Sequence, residues 1–331
     1  MFILQTYSSA VIFCVITMLC WGSWANTQKL AGSSWRFELF YWDYVFGILL
    51  MALVLALTLG SSGQQGRSFL ADYAQADAVN IRSALLGGIV FNAANILLVA
   101  AISIAGMSVA FPVGIGIALV LGVIINYVSA PQGNPVFLFA GIGLIALAIV
   151  LNASAYKKTS SVNQRPSARG LFISVAAGVL MSFFYRFVAA SMFPDFTQPI
   201  AGRLSPYTAM VFFAGGVLIS NFLFNTYIML RPLSGTRLRF SDYFSGGFFN
   251  HLTGIIGGMI WCVGMSFSVL ASDKAGTAIS YGLGQGATVV AAAWGIFIWR
   301  EFKNAPKGVD LLLNLMLLLY IAGIAMVIYA R

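Results

Sequence analysis

The sequence predicts an all-α membrane protein with ten transmembrane helices, arranged as two inverted five-helix repeats. Three observations predict it. Apolar residues make up 60% of the 331-residue chain, and Asp, Glu, Lys and Arg together only 8%, against about 25% in soluble globular domains. The apolar residues gather into ten runs, each long enough to cross a hydrocarbon core about 30 Å thick. The charged residues lie almost wholly between those runs. A water-soluble fold is excluded, and so is a sizeable extramembrane domain.

In chain order the runs occupy 9–29, 38–59, 82–104, 107–129, 135–155, 170–193, 206–230, 244–270, 276–299 and 308–330. Lipid offers no partner to open backbone, and none of the runs shows the strict alternation of a barrel strand, so helices are the expected form. The first run lacks a basic amino-side flank and a small-residue cleavage site, which predicts a retained helix. The second opens on Tyr41-Trp-Asp43-Tyr44, the third carries Asn92 and Asn95, and the fourth holds Pro112 in a glycine-rich start. Arg186 interrupts the sixth run, His251 the eighth and Gln285 the ninth. Cys14, Cys20 and Cys262 all fall inside apolar runs and read as small hydrophobic residues, with no disulfide framework.

The formal charge of +9 would suggest a nucleic-acid partner in a soluble protein. Here the cations report topology instead. Twelve lie in the odd-numbered connections and five in the even-numbered ones and the termini. The positive-inside rule then puts the odd connections in the cytoplasm and both termini on the far side of a bacterial-type inner (plasma) membrane.

The basic, Ser-rich stretch 157–169 divides the helices five and five, separating a first repeat at 1–156 from a second at 170–331. A shift of 168 residues lays Ala110-Phe-Pro-Val-Gly114-Ile-Gly116 over Ala278-Ile-Ser-Tyr-Gly282-Leu-Gly284. Because five is odd, tandem copies must insert with opposite orientations, the inverted-repeat design of many secondary transporters. The small residues four apart, Ala110 with Gly114 and Ala278 with Gly282, read chiefly as close helix packing.

Ten helices split five and five, with Trp21-Gly-Ser-Trp24 in the first, resemble the drug/metabolite transporter superfamily. The first half resembles the ureide permease family in Tyr41-Trp-Asp43-Tyr44, Gly87-Gly-Ile-Val90 with Asn95, Gly106-Met-Ser-Val109 and Asn126-Tyr127. The second half is similar to the rhamnose-proton symporters and related sugar porters in Gly257-Gly-Met-Ile-Trp261 and Glu301-Phe-Lys-Asn304. The resemblance implies secondary transport of a small neutral hydrogen-bonding solute, a sugar or a ureide or nucleobase-like heterocycle, driven by protons. Plant ureide permeases carry a long central loop with a nucleotide-binding-like motif; here the loop is short and has no Gly-x-x-x-x-Gly-Lys sequence. No ATP site and no other cofactor are expected.

An ionisable group within a membrane segment is costly and marks a functional candidate. Asp43 and His251 both fall about 10 Å to the cytoplasmic side of their helix midpoints, and Arg186 about 7 Å to the outer side. Asp43 is therefore a candidate proton-coupling carboxylate with His251 as its companion; the plainer reading makes each a hydrogen-bonded anchor. Arg186 is a candidate for binding substrate oxygens, for pairing with Asp195 or Asp273, or for snorkelling outward. Lys29 and Arg36 at the cytoplasmic end of the first helix read most simply as topology determinants, and Lys29 and Glu38 are gate candidates, with Glu38 as a partner for either cation.

A neutral polar ligand needs fixed donors and acceptors on an apolar wall. Asn92, Asn95 and Gln285 are candidates to supply them, with interhelical hydrogen bonding as the alternative. Trp24, Trp261, Tyr281 and Trp294 are candidate stacking walls, although any one aromatic more often packs or sits in the interface belt. Pro112 breaks the backbone ladder of the fourth helix, and its counterpart Ser280 does not. The expected cavity is lined mainly by helices one, three, six, eight and nine.

The expected partners are the solute, protons and the bilayer, in a monomer or homodimer. One histidine and scattered carboxylates make no metal cluster. An exporter of amphipathic compounds is the rival within transport. A membrane-embedded enzyme is more distant, since no His-Glu-x-x-His or paired intramembrane aspartates are present.

Overall fold

The chain follows the bilayer's demand that backbone groups be satisfied within each crossing segment. The computed structural model describes residues 1–32, 34–159, 168–232, 235–303 and 305–331. Arg165 of the basic linker and Asn304 after the ninth run lie outside them. Among the described residues, ten helices are long and apolar enough to cross a membrane: α1 Tyr7–Leu30, α2 Phe37–Leu57, α3 Ala78–Ala105, α4 Met107–Ser129, α5 Pro135–Thr159, α6 Ala168–Ser191, α7 Pro206–Leu230, α8 Phe248–Ala275, α9 Thr277–Ile298 and α10 Val309–Tyr329. The only pairing of strand type among these residues is a single bridge between Met192 and Leu204. The all-α membrane fold of the sequence reading is therefore correct.

Helix ends depart from the hydropathy edges where polar side chains or turns intervene. α3 begins four residues early because Asp77 stands in extended backbone ahead of it and Asn80 in its first turn donates to Gly202 O at 2.9 Å. α8 begins late. Phe244 closes a separate short helix, Phe240–Phe244, and Gly247 is extended before Phe248. A second short helix, Phe69–Gln75, follows α2.

Two spans are interrupted. α1 has a break at Trp24, between Tyr7–Ser23 and Ala25–Leu30. α9 runs as Thr277–Gln285, breaks at Gly286, resumes over Ala287–Ala293 and ends in a π-helical turn, Trp294–Ile298. Just beyond, Arg300 has φ 51°. In the second half the discontinuity thus sits at Gly286, six residues past the Ser280 compared with Pro112.

Single glycines join α3 to α4 and α8 to α9. Gly106 has φ 80° and Gly276 φ 86°, a conformation in which any Cβ is strained. These junctions are 170 residues apart, so their register differs by two from the 168-residue shift read in the sequence. At 170, Gly87-Gly88 of α3 coincides with Gly257-Gly258 of α8, and Phe91 with Trp261.

The packing follows the same correspondence. α3 packs on α6 and α7, whereas α8 packs on α1 and α2; α4 lies on α6 as α9 lies on α1. α2 meets α7, α4 meets α9 and α5 meets α10. The tightest backbone approaches are made by glycines outside the small-residue stripe of α4 and α9. A Cβ on Gly88 would lie 2.0 Å from Phe213 O, and one on Gly216 2.1 Å from Leu85 O, fixing α3 against α7. A Cβ on Gly258 would lie 1.9 Å from Tyr44 O, and one on Gly47 2.1 Å from Ile255 O, fixing α8 against α2. Gly114 and Gly282 meet mainly side-chain atoms instead.

Gly258→Val and Gly88→Val should each force their helix pairs apart and destabilise the protein by about 1–3 kcal/mol or more. Gly143→Ala, where nothing lies within 4 Å of the added carbon, should leave stability near wild type. Thermal unfolding in detergent compares them; equal melting of Gly258→Val and Gly143→Ala would contradict the packing described.

Candidate functional site

Between the halves lies a cavity of about 140 Å³ lined by α1, α3, α4, α6, α8 and α9. Four of the predicted site residues meet there: Trp24, Asn95, Trp261 and Gln285. α4 joins the five helices expected from the sequence, through Phe111 and Ile115. Trp21, Phe91, Phe184 and Met181 complete the apolar wall. Phe91 and Trp261 have ring centroids 4.4 Å apart, and Trp261 also stacks with Phe213 and with Trp21, whose Nε1 donates to Trp261 O at 3.3 Å. Among the described residues, no Asp, Glu, Lys, Arg or His lines this space. A net charge would enter without a counter-charge.

The polar groups of the cavity are carboxamides and one hydroxyl. Gln285 sits at the break in α9, and its side chain makes no hydrogen bond to the described residues. Asn95 donates through Nδ2 to Tyr41 Oη at 3.0 Å, and its oxygen has no partner among the described residues. Thr288 Oγ1 donates to Gln285 O at 3.1 Å and accepts from Tyr320 Oη at 2.6 Å. Behind Asn95, Tyr41 Oη donates to Asn92 Oδ1 at 2.9 Å, and Asn92 Nδ2 donates to Ser220 Oγ at 2.9 Å. Asn92 is fully buried and serves this α2–α3–α7 network. Of the asparagine pair proposed from the sequence, only Asn95 reaches the cavity.

Two other predicted wall residues pack elsewhere. Tyr281 is fully buried one turn beyond Gly276; its hydroxyl donates to Ala118 O at 3.0 Å and its ring meets those of Phe184 and Tyr185. Trp294 donates to Ser23 Oγ at 2.9 Å, tying α9 to α1. Tyr281, Tyr185, Phe184 and Phe213 form an aromatic layer between the cavity and the face that carries the termini.

Toward the opposite, basic face the cavity continues into a vestibule of about 390 Å³, with Phe111, Thr288 and Ala291 lining both. Pro112 lies in its wall, as does Asn152, whose Oδ1 is buried without a partner. Lys29 stands at the mouth. Its Nζ lies 2.7 Å from Glu301 Oε1 and 4.9 Å from the Trp299 ring centroid. Tyr156 donates to Glu301 Oε2 at 2.6 Å, so one carboxylate ties α1 and α5 to the end of α9. Glu38 is bonded to Arg36, two residues away, and not to Lys29. Lys29 is thus paired with Glu301, and Glu38 with Arg36. Burial raises the Glu301 carboxyl, but the hydrogen bonds from Lys29 and Tyr156 and the Lys29 charge outweigh it and hold the carboxyl below its ordinary value.

Asp43 and His251 meet, as their equal depths predicted, near the basic face. Asp43 is 2% exposed, and His251 Nδ1 lies 2.9 Å from its Oδ2. Tyr243, on the short helix before α8, donates to Asp43 Oδ1 at 2.6 Å. Burial and this bond to the carboxylate raise the phenol above its ordinary value, so it stays a donor. Trp35 covers the imidazole edge-on at 5.4 Å. Gly254 allows the approach, since a Cβ there would fall 2.4 Å from Asp43 Cβ. Tyr243 carries no sequence signal, because it lies in a short helix outside the ten apolar runs and 200 residues from its partner Asp43.

Arg186 stands apart from all of these. It is exposed in a second vestibule near the termini, with Nη1 2.7 Å from Ser129 Oγ. Neither Asp195 nor Asp273 forms an ion pair with it among the described residues: Asp273 lies 2.8 Å from Lys274 Nζ, and Asp195 accepts from Thr197.

Comparison with known proteins gives this arrangement a family. The model of the ureide permease family matches residues 40–167 and 154–330. The chain belongs to the ureide permease family. It is a membrane transport protein, and the match runs through the second half as well as the first. Ureide permease 1 of Arabidopsis thaliana is 21% identical over 98% of this chain and 97% of its own length; ureide permease 4 of the same plant is 21% identical over 98% of each. A probable ureide permease A3 of Vigna unguiculata is 27% identical over 38% of this chain and 34% of its own length. A crystal structure covering 96% of both chains aligns with a TM-score of 0.58 at 16% identity, which shows a shared fold.

Lys29 and Glu301 are 49% and 30% exposed, so a double-mutant cycle on their neutral variants should return a coupling of only about 0.2–1 kcal/mol. Glu301 is held below its unfolded value of 4.5. The contribution should therefore be complete above that pH and disappear as pH falls through the folded value. Thermal unfolding of the four proteins against pH measures it; a coupling that grows on acidification would contradict the assignment.

Proposed function

We propose that the protein is a secondary carrier that imports a small, neutral, planar ureide or oxo-heterocycle together with protons. The observation that carries this reading is the charge-free cavity, walled by aromatic rings and furnished with two carboxamides that have hydrogen-bonding capacity left over. A carboxamide both donates and accepts. Asn95 and Gln285 can therefore complement the alternating N–H and C=O groups of a urea or cyclic amide, while the aromatic rings cover its faces. Sugars present hydroxyls around a puckered ring and use such a site less fully. The names of the relatives, ureide permeases, point to the same solute class.

The carrier works by alternating access between two inverted five-helix repeats, 1–156 and 170–331. Three features support the repeats: the paired glycine junctions, the coincidence of Gly87-Gly88 with Gly257-Gly258, and the matching helix contacts of the two halves. The continuity of cavity and basic-face vestibule, against the aromatic layer on the other side, corresponds to a state open toward the basic face. With the positive-inside rule that face is cytoplasmic, both termini are outside, and the membrane is a bacterial-type inner membrane. The Lys29–Glu301 pair guards the cytoplasmic mouth.

Asp43, with His251 and Tyr243, carries the coupled proton. The three groups hold one another on α2, α8 and the short helix between α7 and α8. A rocking motion that separates them removes the partners of the carboxylate and favours its protonation. Wyman linkage then ties proton uptake to the conformational change.

Proteoliposome uptake of labelled allantoin and uracil, against rhamnose and hexoses, with and without an imposed pH gradient, tests the solute and the coupling. Asn95→Ala and Gln285→Ala should each cost about 0.5–1.5 kcal/mol of solute binding, a two- to tenfold rise in KM. Asp43→Asn should keep solute binding and lose solute-evoked proton uptake. Preferred uptake of hexoses would refute the solute class, and wild-type proton uptake by Asp43→Asn would refute the coupling role.

A further inference from the structure

On the face that carries the termini, two arginines, Arg186 and Arg203, have no ion-pair partner among the described residues, whereas Arg67 is paired with Asp72 and Lys274 with Asp273. A vestibule of about 330 Å³ opens there between α4, α6 and the α8–α9 junction. It shares no lining residue with the central cavity, and no carboxylate lines it. Two arginines do, Arg186 and Arg203. Arg186 bonds a neutral hydroxyl, Ser129 Oγ, and Arg203 a backbone carbonyl, Met192 O at 3.0 Å. Among the described residues neither makes an ion pair. A guanidinium has five N–H donors in a planar fork that fits two oxygens of an oxyanion at once. Gln132 adds a carboxamide with no hydrogen bond among the described residues; Ser272 and Thr277 line the same space and donate their hydroxyls to Val269 O and Asn126 O.

The two faces differ in a telling way. At the basic face the cation at the end of α1, Lys29, is matched by Glu301 immediately beyond α9. At the termini face α6 packs on α4 in the corresponding manner, and the hydrogen-bond partner of Arg186 among the described residues is Ser129 at the end of α4. The residues that follow, Ala130-Pro-Gln132-Gly133, supply no acid.

We infer that this outer vestibule is an oxyanion site, taking a small carboxylate or phosphate monoanion between Arg186 and Arg203, with Gln132 as a neutral donor. Two sources present that chemistry: an open-chain ureido acid in solution and the phosphodiester head of an anionic lipid. The central cavity has no counter-charge for either, so the vestibule is a separate station. The inference stands on the vestibule's own groups and does not depend on which solute the central cavity carries.

Isothermal titration of the purified full chain in phosphatidylcholine nanodiscs tests it, with N-carbamoylglycine and inorganic phosphate as anion probes and hydantoin as the uncharged analogue. At least one anion should bind, more weakly as salt is added. Arg186→Gln should weaken it at least about tenfold, Gln132→Ala a few-fold, and Arg186→Lys less than Arg186→Gln. Phosphatidylglycerol in the discs that blocks the probe in wild type, but not in Arg186→Lys, identifies the lipid head as the occupant; no block identifies the soluble anion. Melting curves establish that each variant is folded, and Gln132→Ala carries the test if Arg186→Gln is not. Absence of anion binding, together with no Arg186-dependent retention of phosphatidylglycerol on purification, would overturn the inference. So would binding that neither Arg186→Gln nor Gln132→Ala changes.

Discussion

The absence of hydrogen-bond partners in lipid governs this structure more than any single contact. It obliges the backbone to close on itself within each crossing segment, and it makes every polar side chain in a span seek protein, water or ligand. Most succeed locally or across one helix contact. Thr17 reaches Gly264 O at 2.8 Å, Tyr185 reaches Ser268 O at 3.0 Å, and Asn92 is consumed by Tyr41 and Ser220. The few that keep spare capacity next to open space among the described residues, Asn95 and Gln285 above all, line the central cavity.

Close helix approach is what brings these groups together. Without a hydrophobic drive between helices in lipid, association rests on packing, and here four glycines allow backbone to meet backbone at α2–α8 and α3–α7. Those contacts position Asp43 against His251 on one side, and Asn92 against Tyr41 and Ser220 on the other. The aromatic layer of Phe184, Tyr185, Phe213 and Tyr281 then separates the two faces. The same fold therefore supplies a central cavity lined by no charged side chain among the described residues, a basic-face vestibule with a matched ion pair, and a termini-face vestibule whose two arginines make no ion pair among those residues.

Much of the site's position was legible and much of its lining was not. The shared depth of Asp43 and His251 follows from helix rise alone, and the structure brings them within 2.9 Å. Trp24, Trp261, Asn95 and Gln285 stood out as polar or amphipathic groups deep in apolar runs. Phe91, Phe184 and Trp21 did not, because an aromatic at helical spacing looks the same whether it faces lipid, a neighbour or a cavity. Tyr281 and Asn92 drew attention for the right chemistry but spend it on Ala118 O and on Ser220 and Tyr41. The 168-residue register came from a short string of small residues, whereas the glycine junctions that place α4 and α9 lie at 170.

By itself the sequence determined the ten crossings, the all-helical class and the distribution of charge between the two faces. In a bilayer these depend on length and composition, which are properties of each segment alone. Only the tertiary structure decided which polar groups are satisfied and which are left free. That choice depends on partners far along the chain, such as Tyr243 for Asp43, 200 residues away, and Glu301 for Lys29, 272 residues away. No local pattern encodes such a meeting, because it is set by how the helices pack.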